Sequence, residues 1–329
     1  MNWLLLFLAL LAAPAPPREG TIAADDGARL FYRVEGAGRE TLVVVHGGPG
    51  NSLESVRLDL APLARGRRVI YYDQRGNGRS SLIDRSDRLA ISRHIADLEA
   101  IRRHFRLDRM VLLGNSWGGL LVSAYAAAHP ERVGRMILHA PAPPTLAYLR
   151  EMGARIDARA NERLDQAGRR RLSEIDGPEY WLGSADPVAT CREFMADIFL
   201  LYRFDPAARI PFRGNVCAGS REAVRRQQWV NAAIWRSLGD FDLRPAVERV
   251  AAPVLVIHGA ADVIPLAASR DWAAHYPAGR LLVLERAGHL VHLERPDAFF
   301  PAVQAFLAGR WPPGAEGRPA VTGRLTGWR

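Results

Sequence analysis

Ser116 stands in Gly114-Asn115-Ser116-Trp117-Gly118, a G-x-S-x-G pentapeptide. Alone, the pattern is weak and arises by chance in plain Gly/Ser turns. Its flanks make it specific. An apolar run, Met110-Val111-Leu112-Leu113, leads in, and a small-residue helical stretch (Gly118, Gly119, Ala124, Ala126, Ala127, Ala128) leads out. A strand turning this sharply into a helix leaves no room for neighbouring Cβ atoms, hence the glycines, and it presents the serine hydroxyl on a strained backbone. A serine hydroxyl is a poor nucleophile near neutrality, so it needs a general base, and the base needs an orienting group. In such a strand–turn–helix setting the chain order is Ser, then Asp or Glu, then His. Asp262, in Gly259-Ala260-Ala261-Asp262, and His289, in Ala287-Gly288-His289, meet that order. Each follows an apolar run, at the carboxyl end of a predicted strand, where loops gather in one crevice. His292 is the rival base. His258 (inside a strand) and His275 (on a helix) read as structural, and Asp240 and Asp242 are weaker acid candidates.

Acyl transfer also needs donors aimed at the developing oxyanion, each worth about 2.7–4 kcal/mol. The backbone N–H of Trp117, the residue after the nucleophile, is one candidate. The other lies in His46-Gly47-Gly48-Pro49-Gly50 after an early strand, where glycines let the backbone approach a substrate closely. Gly48 is the first choice and Gly47 the alternative, with His46 bracing the loop. A phosphate cradle would instead need G-x-x-x-x-G-K-[ST] or G-x-G-x-x-G entering a helix, and neither occurs there.

The elements that must position these residues alternate. Strands are predicted at Arg29–Glu35, Thr41–His46, Arg67–Asp73, Arg109–Gly114, Arg135–Ala140, Pro253–His258 and Arg280–Glu285. Val43-Val44-Val45 and Val254-Leu255-Val256-Ile257 are continuously apolar, as strands buried on both faces must be. Helices are predicted at Ile91–Phe105, Ser116–His129 and Pro296–Leu307. The alternation predicts an α/β fold: a mostly parallel sheet with helices on both faces. It breaks over residues 141–249, which carry helical spacings and no strand pattern and read as an inserted helical cap over the strands' carboxyl ends. Residues 21–140 and 250–310 form the core, and 311–329 an irregular tail.

The chain has 329 residues, a net charge of +9, no lysine, and arginines spread along its whole length. A nucleic-acid footprint would be a clustered stripe, so nucleic acid is not an expected partner. Two cysteines, Cys191 and Cys217, exclude a disulfide scaffold and a four-cysteine zinc site. Trp3 to Ala13 is an unbroken apolar run, too short to span a bilayer. Residues 1–20 therefore read as a signal peptide for export, periplasmic or secreted, with no stable membrane insertion. A mis-assigned start or an N-terminal strap, in a cytoplasmic protein, is the alternative. Export would let Cys191 and Cys217 pair; two buried free thiols remain open.

Three segments together resemble the α/β-hydrolase superfamily and, more narrowly, the prolyl iminopeptidase family of serine aminopeptidases. They are His46 to Gly50, then Asp73-Gln74-Arg75-Gly76-Asn77-Gly78-Arg79-Ser80, and the serine elbow with Trp117. The likeness implies an α/β-hydrolase fold, a triad of Ser116, Asp262 and His289, no metal or cofactor, and a cap that sets specificity. It also implies release of an N-terminal residue, often proline, from short peptides. Family members bind the substrate's α-ammonium with cap glutamates, for which Glu193 and Glu222 are the candidates. The elbow departs from the family's G-G-S-W-G-S at Asn115 and Gly119, and no glutamate pair aligns. An esterase or amidase acting on small molecules is therefore the second reading and a non-catalytic binding protein the third. Asp73 and Arg75 are expected to fix their loop by ion pairing rather than touch substrate.

Overall fold

The computed structural model describes residues 18–317. The apolar run at Trp3 to Ala13 lies outside them. Nine strands form one sheet: β1 (Arg18–Ala23), β2 (Arg29–Glu35), β3 (Thr41–Val45), β4 (Arg68–Tyr72), β5 (Met110–Asn115), β6 (Val133–His139), β7 (Val254–Gly259), β8 (Gly279–Leu284) and β9 (Glu316–Gly317). Their order is β1-β2-β4-β3-β5-β6-β7-β8-β9. From β4 to β8 every pairing is parallel, and β1, β2 and β9 run antiparallel at the two edges. Each predicted strand is present to within two residues at either end.

Two edge strands escaped the sequence reading. β1 begins at Arg18, inside the segment read as residues 1–20 of a leader, because Arg18 to Ala23 pairs residue for residue with β2. In the tail read as irregular, Glu316 and Gly317 pair with Leu281 and Arg280 of β8. Such strands are short and exposed, so hydrogen bonding to a neighbour creates them, with little apolar patterning to announce them.

Helices α1 (Ile91–His104) and α2 (Trp117–Ala128) follow β4 and β5. Between β6 and β7 the chain makes α3 (Leu146–Arg163), α4 (Gln166–Ile175), α5 (Pro178–Gly183), α6 (Pro187–Tyr202), α7 (Arg221–Arg225), α8 (Gln227–Leu238) and α9 (Arg244–Val247), with no strand among them. Then come α10 (Leu266–His275), α11 (Val291–Glu294) and α12 (Pro296–Leu307). Alternate residues of the central strands feed two cores. Val43, Val45, Leu112 and Leu138 pack against α1 and α2, while Val44, Leu113, Ile137 and Ile257 pack against α12. This two-sided burial is why the strands read as unbroken apolar runs. A third cluster, built on Trp181, Phe194, Ile198 and Val224, contains the Cys191–Cys217 disulfide and ties α6 to the segment before α7. The two cysteines are thus paired. Among the described residues no helix is long and apolar enough to cross a membrane.

Candidate active site

At the end of β5 the chain reverses into α2 within one residue. Ser116 occupies that residue at φ 53° and ψ −119°, on the positive-φ side that a side chain rarely adopts. Its backbone is held on both sides: Ser116 N–H donates to His139 O at 2.9 Å, and Ser116 O accepts from Gly119 N–H at 2.8 Å and Ala142 N–H at 2.9 Å. The flanking glycines are demanded by contact. A Cβ at Gly114 would fall against the Gly118 carbonyl, and one at Gly118 against the Val45 carbonyl, both inside van der Waals distance.

Across the crevice, His289 Nδ1 donates to Asp262 Oδ2 at 2.9 Å and lies 3.1 Å from Oδ1. Asp262 Oδ1 also accepts Ile264 N–H at 3.0 Å. Burial alone would raise this carboxyl, yet the facing imidazole and that N–H hold it below its ordinary value. The Asp262 side chain is fully buried, which leaves it little to do but orient the ring. His289 is fixed again from above: its backbone N–H donates to Tyr202 O at 2.7 Å, and the Tyr202 ring packs edge-on at 4.6 Å between centroids.

Ser116 and His289 line the same cavity of about 680 Å³, together with Gly47, Gly48 and Asn115. The loop after β3 passes directly beside the serine, since a Cβ built on Gly47 would stand 3.2 Å from the Ser116 Cβ. Gly48 has φ +120°, open to glycine alone among the common residues. Trp117 is the first residue of α2, so its N–H has no partner within the helix. The Trp117 N–H thus adjoins Ser116 along the chain and Gly47, the alternative, adjoins it across space, while Gly48 lies one residue further along the same loop and lines the same cavity.

His292 lines the cavity too, but no carboxylate orients it. Neither ring nitrogen has a hydrogen-bond partner among the described residues, and burial with the neighbouring His289 pushes its pKa down to about 3. His258 bonds Ser269 and His275 bonds Glu248, each as a fixture of its own element. Asp242 is occupied by Arg244, and neither Asp240 nor Asp242 reaches the cavity.

The cap glutamates chosen from sequence are misplaced. Glu193 is exposed on the face of α6 opposite Met195, Phe199 and Tyr202, which line the cavity. Glu222 is held by Arg225 and Arg226 on α7. The carboxylates that do line the cavity are Asp157 on α3 and Asp176 just after α4. Partial desolvation at the cavity rim, with the negative charge of Asp157 adding, raises the Asp176 pKa, although the residue as a whole stays exposed. The spacing Met152, Ile156, Ala160 marks the inward stripe of α3, and Asp157 adjoins it. That signal lies in the sequence, but at an aspartate, where the family resemblance implies glutamates. Apolar walls come from Phe194, Ile198, Phe199 and Phe212.

The second motif loop contributes no residue to the cavity. Arg75 spends its guanidinium on buried Asp97 (2.6 and 2.7 Å) and on the part-buried Asp26 (2.8 Å) and Arg88 O (3.0 Å). Asp73 fixes its loop by a different means from the expected ion pair: its carboxylate accepts the backbone N–H groups of Leu53 and Arg79, each at 2.7 Å. Among the described residues no group of three or more His, Cys, Asp or Glu is arranged to hold a metal ion.

Comparison with known proteins gives the same outline. A family described as alpha/beta hydrolase fold matches residues 40–296. A proline iminopeptidase of Lactobacillus helveticus is 26% identical over 289 residues, which cover 85% of this chain and 95% of the relative. The crystal structure of a hydrolase from Pseudomonas aeruginosa superposes with a TM-score of 0.65 at 28% identity, covering 88% of this chain and 98% of that one. An esterase from Exiguobacterium antarcticum shares the fold at 21% identity and a TM-score of 0.60, over 88% and 100% of the two chains.

Proposed function

Because the chain belongs to the alpha/beta hydrolase fold family, we propose that it is a serine hydrolase working through an acyl-enzyme. The observation that carries this is the strained Ser116 facing one cavity with a His289 whose Nδ1–H is held by buried Asp262. Ser116 Oγ attacks a substrate carbonyl carbon while His289 Nε2 takes the hydroxyl proton. The oxyanion is held by the backbone N–H groups of Gly48 and Trp117. His289 returns the proton to the leaving amine or alcohol, and water, activated the same way, releases the acyl group and restores the serine. No cofactor enters this scheme.

Within that class the preferred substrate is a short peptide with a free N-terminus, from which one residue is released. Asp157 and Asp176 support this, because they are the two carboxylates bordering the cap side of the cavity, where Arg169 is the one cation among the described lining residues, and a carboxylate pair suits an α-ammonium group. The proline iminopeptidase likeness points the same way. Ester hydrolysis is the second reading, favoured by the four phenylalanine and isoleucine walls. The Cys191–Cys217 disulfide supports export to an oxidising compartment.

Labelling by a fluorophosphonate, abolished in Ser116→Ala, tests the hydrolase; a chain that resists labelling is a binding protein. Turnover of proline and alanine anilides against short-chain nitrophenyl esters separates the two substrate classes. Activity on esters alone would remove the peptidase reading, and an Asp157→Asn, Asp176→Asn double variant should raise KM for anilides far more than for esters.

A further inference from the structure

We propose that Gln74 is a positioning residue that sets the spacing between the two sides of the oxyanion site. This rests on the serine hydrolase reading above. Sheet order places the loops after β4, β3 and β5 side by side. Gln74 comes from the outermost of the three and is fully buried. Its Oε1 accepts the indole Nε1–H of Trp117 at 2.9 Å, and its Nε2 donates to the His46 carbonyl at 2.9 Å. Its own backbone N–H donates to His46 Nε2 at 3.2 Å, so the ring is the Nδ1–H tautomer, which donates on to Gly47 O at 2.8 Å.

One planar amide therefore bridges the two chain segments that supply the oxyanion donors. On one side it holds His46, which leads into Gly47 and Gly48. On the other it holds Trp117, whose backbone N–H lies next to Ser116. The bridge is rigid because its base is rigid. Asp73 before it grips Leu53 and Arg79, and Arg75 after it is locked by Asp97 and Asp26. A core amide with a purely structural task could satisfy itself on any buried partners. Both side-chain partners of this one sit on donor-bearing segments, and oxyanion donors work only within a few tenths of an ångström of their target. Removing the amide orphans a buried indole N–H and a buried carbonyl, and each segment shifts to find another partner.

Gln74→Ala and Gln74→Glu, made in the full chain, test this. The glutamate keeps the shape and still accepts the indole N–H, but repels the His46 carbonyl, so it serves if the alanine variant folds poorly. On whichever substrate the wild type turns over, kcat should fall about 10- to 100-fold with KM changed less than about threefold. The Ki of a phenylboronic acid, whose serine adduct places an oxygen in the oxyanion site, should weaken in parallel. Inhibition by the released product should not change. Trp117→Phe removes the other end of the same bridge, so the double variant Gln74→Ala, Trp117→Phe should lose little more than the worse single. The proposal is overturned by a folded variant with kcat within twofold of wild type, by parallel losses in boronate and product binding, or by additive losses in the double variant. Failure of the underlying reading looks different: the wild type itself would neither react with fluorophosphonate nor depend on Ser116.

Discussion

Replacing Asp262 by asparagine changes one atom and should disable the site through a tautomer. Asp262 Oδ1 accepts the Ile264 N–H, so the asparagine oxygen is pinned at that position. The amide nitrogen then takes the place of Oδ2, 2.9 Å from His289 Nδ1. Two donors cannot share that contact. The amide N–H at the shorter contact favours a ring that presents Nδ1 as an acceptor and carries its proton on Nε2, the nitrogen proposed to receive the Ser116 proton. The competing arrangement, Nδ1–H donation to the oxygen at 3.1 Å, meets an acceptor that Ile264 N–H already occupies. A base already protonated cannot accept another. In a serine protease of unrelated fold this inversion lowers kcat about 10⁴-fold, equivalent to about 5.5 kcal/mol at 1.36 kcal/mol per decade. The same loss is expected here, with Tm nearly unchanged because the shape and the Ile264 bond survive. The assay is steady-state turnover of a nitrophenyl ester from pH 6 to 9, with the rate of fluorophosphonate labelling as an independent readout. A well-folded Asp262→Asn variant within tenfold of wild-type kcat would refute the tautomer reasoning. If His292→Asn then proved the inactive variant, His292 would take over as base.

Three further outcomes follow from the packing. Arg75→Met leaves the buried Asp97 carboxylate without its partner and should cost about 3–5 kcal/mol in urea unfolding, whereas adding Asp97→Leu should recover much of it. A single variant costing under 1 kcal/mol would contradict the ion-pair account. Replacing both Cys191 and Cys217 by serine releases a chain loop of separation 26 and should cost about 3.5 kcal/mol on the loop-entropy relation, read as a calorimetric Tm lower by about 5–10 °C. Stability should also fall steadily as pH drops below about 6.5. Burial holds His46 at about 4 and His94 and His292 at about 3, so the folded state keeps them neutral while the unfolded chain protonates them. For such depressed bases the stabilisation is complete above the unfolded pKa and lost below it, by about 2 kcal/mol each at pH 5. Asp73 and Asp97, raised to about 6 by burial, act oppositely and offset part of the loss. A urea midpoint unchanged between pH 7 and 5 would contradict this balance.

Local physics made part of this molecule readable in one dimension. Seven of the nine strands, the elbow at Ser116 and the helices α1, α2 and α12 were each announced by a short window of residues. Periodicity follows from backbone geometry, and a glycine on either side of a buried turn follows from contact distances. The edge strands β1 and β9 were missed because their structure comes from a neighbour. Misassignment of Glu193 and Glu222 had a related cause: a carboxylate's usefulness depends on which face of its helix meets the cavity, and no spacing within α6 or α7 says where the cavity is.

The sequence by itself determined the chemistry-bearing side chains, their order along the chain and the strand ends that carry them. Only the tertiary structure decided that Cys191 meets Cys217, that Asp157 and Asp176 border one cavity, and that Gln74 reaches across β3 to Trp117. Those are contacts between residues 19 to 43 positions apart, and they exist because the sheet stacks distant strand ends side by side and the cap helices close over them. Composition and spacing record what each residue can do, whereas sheet order and helix rotation choose its partner.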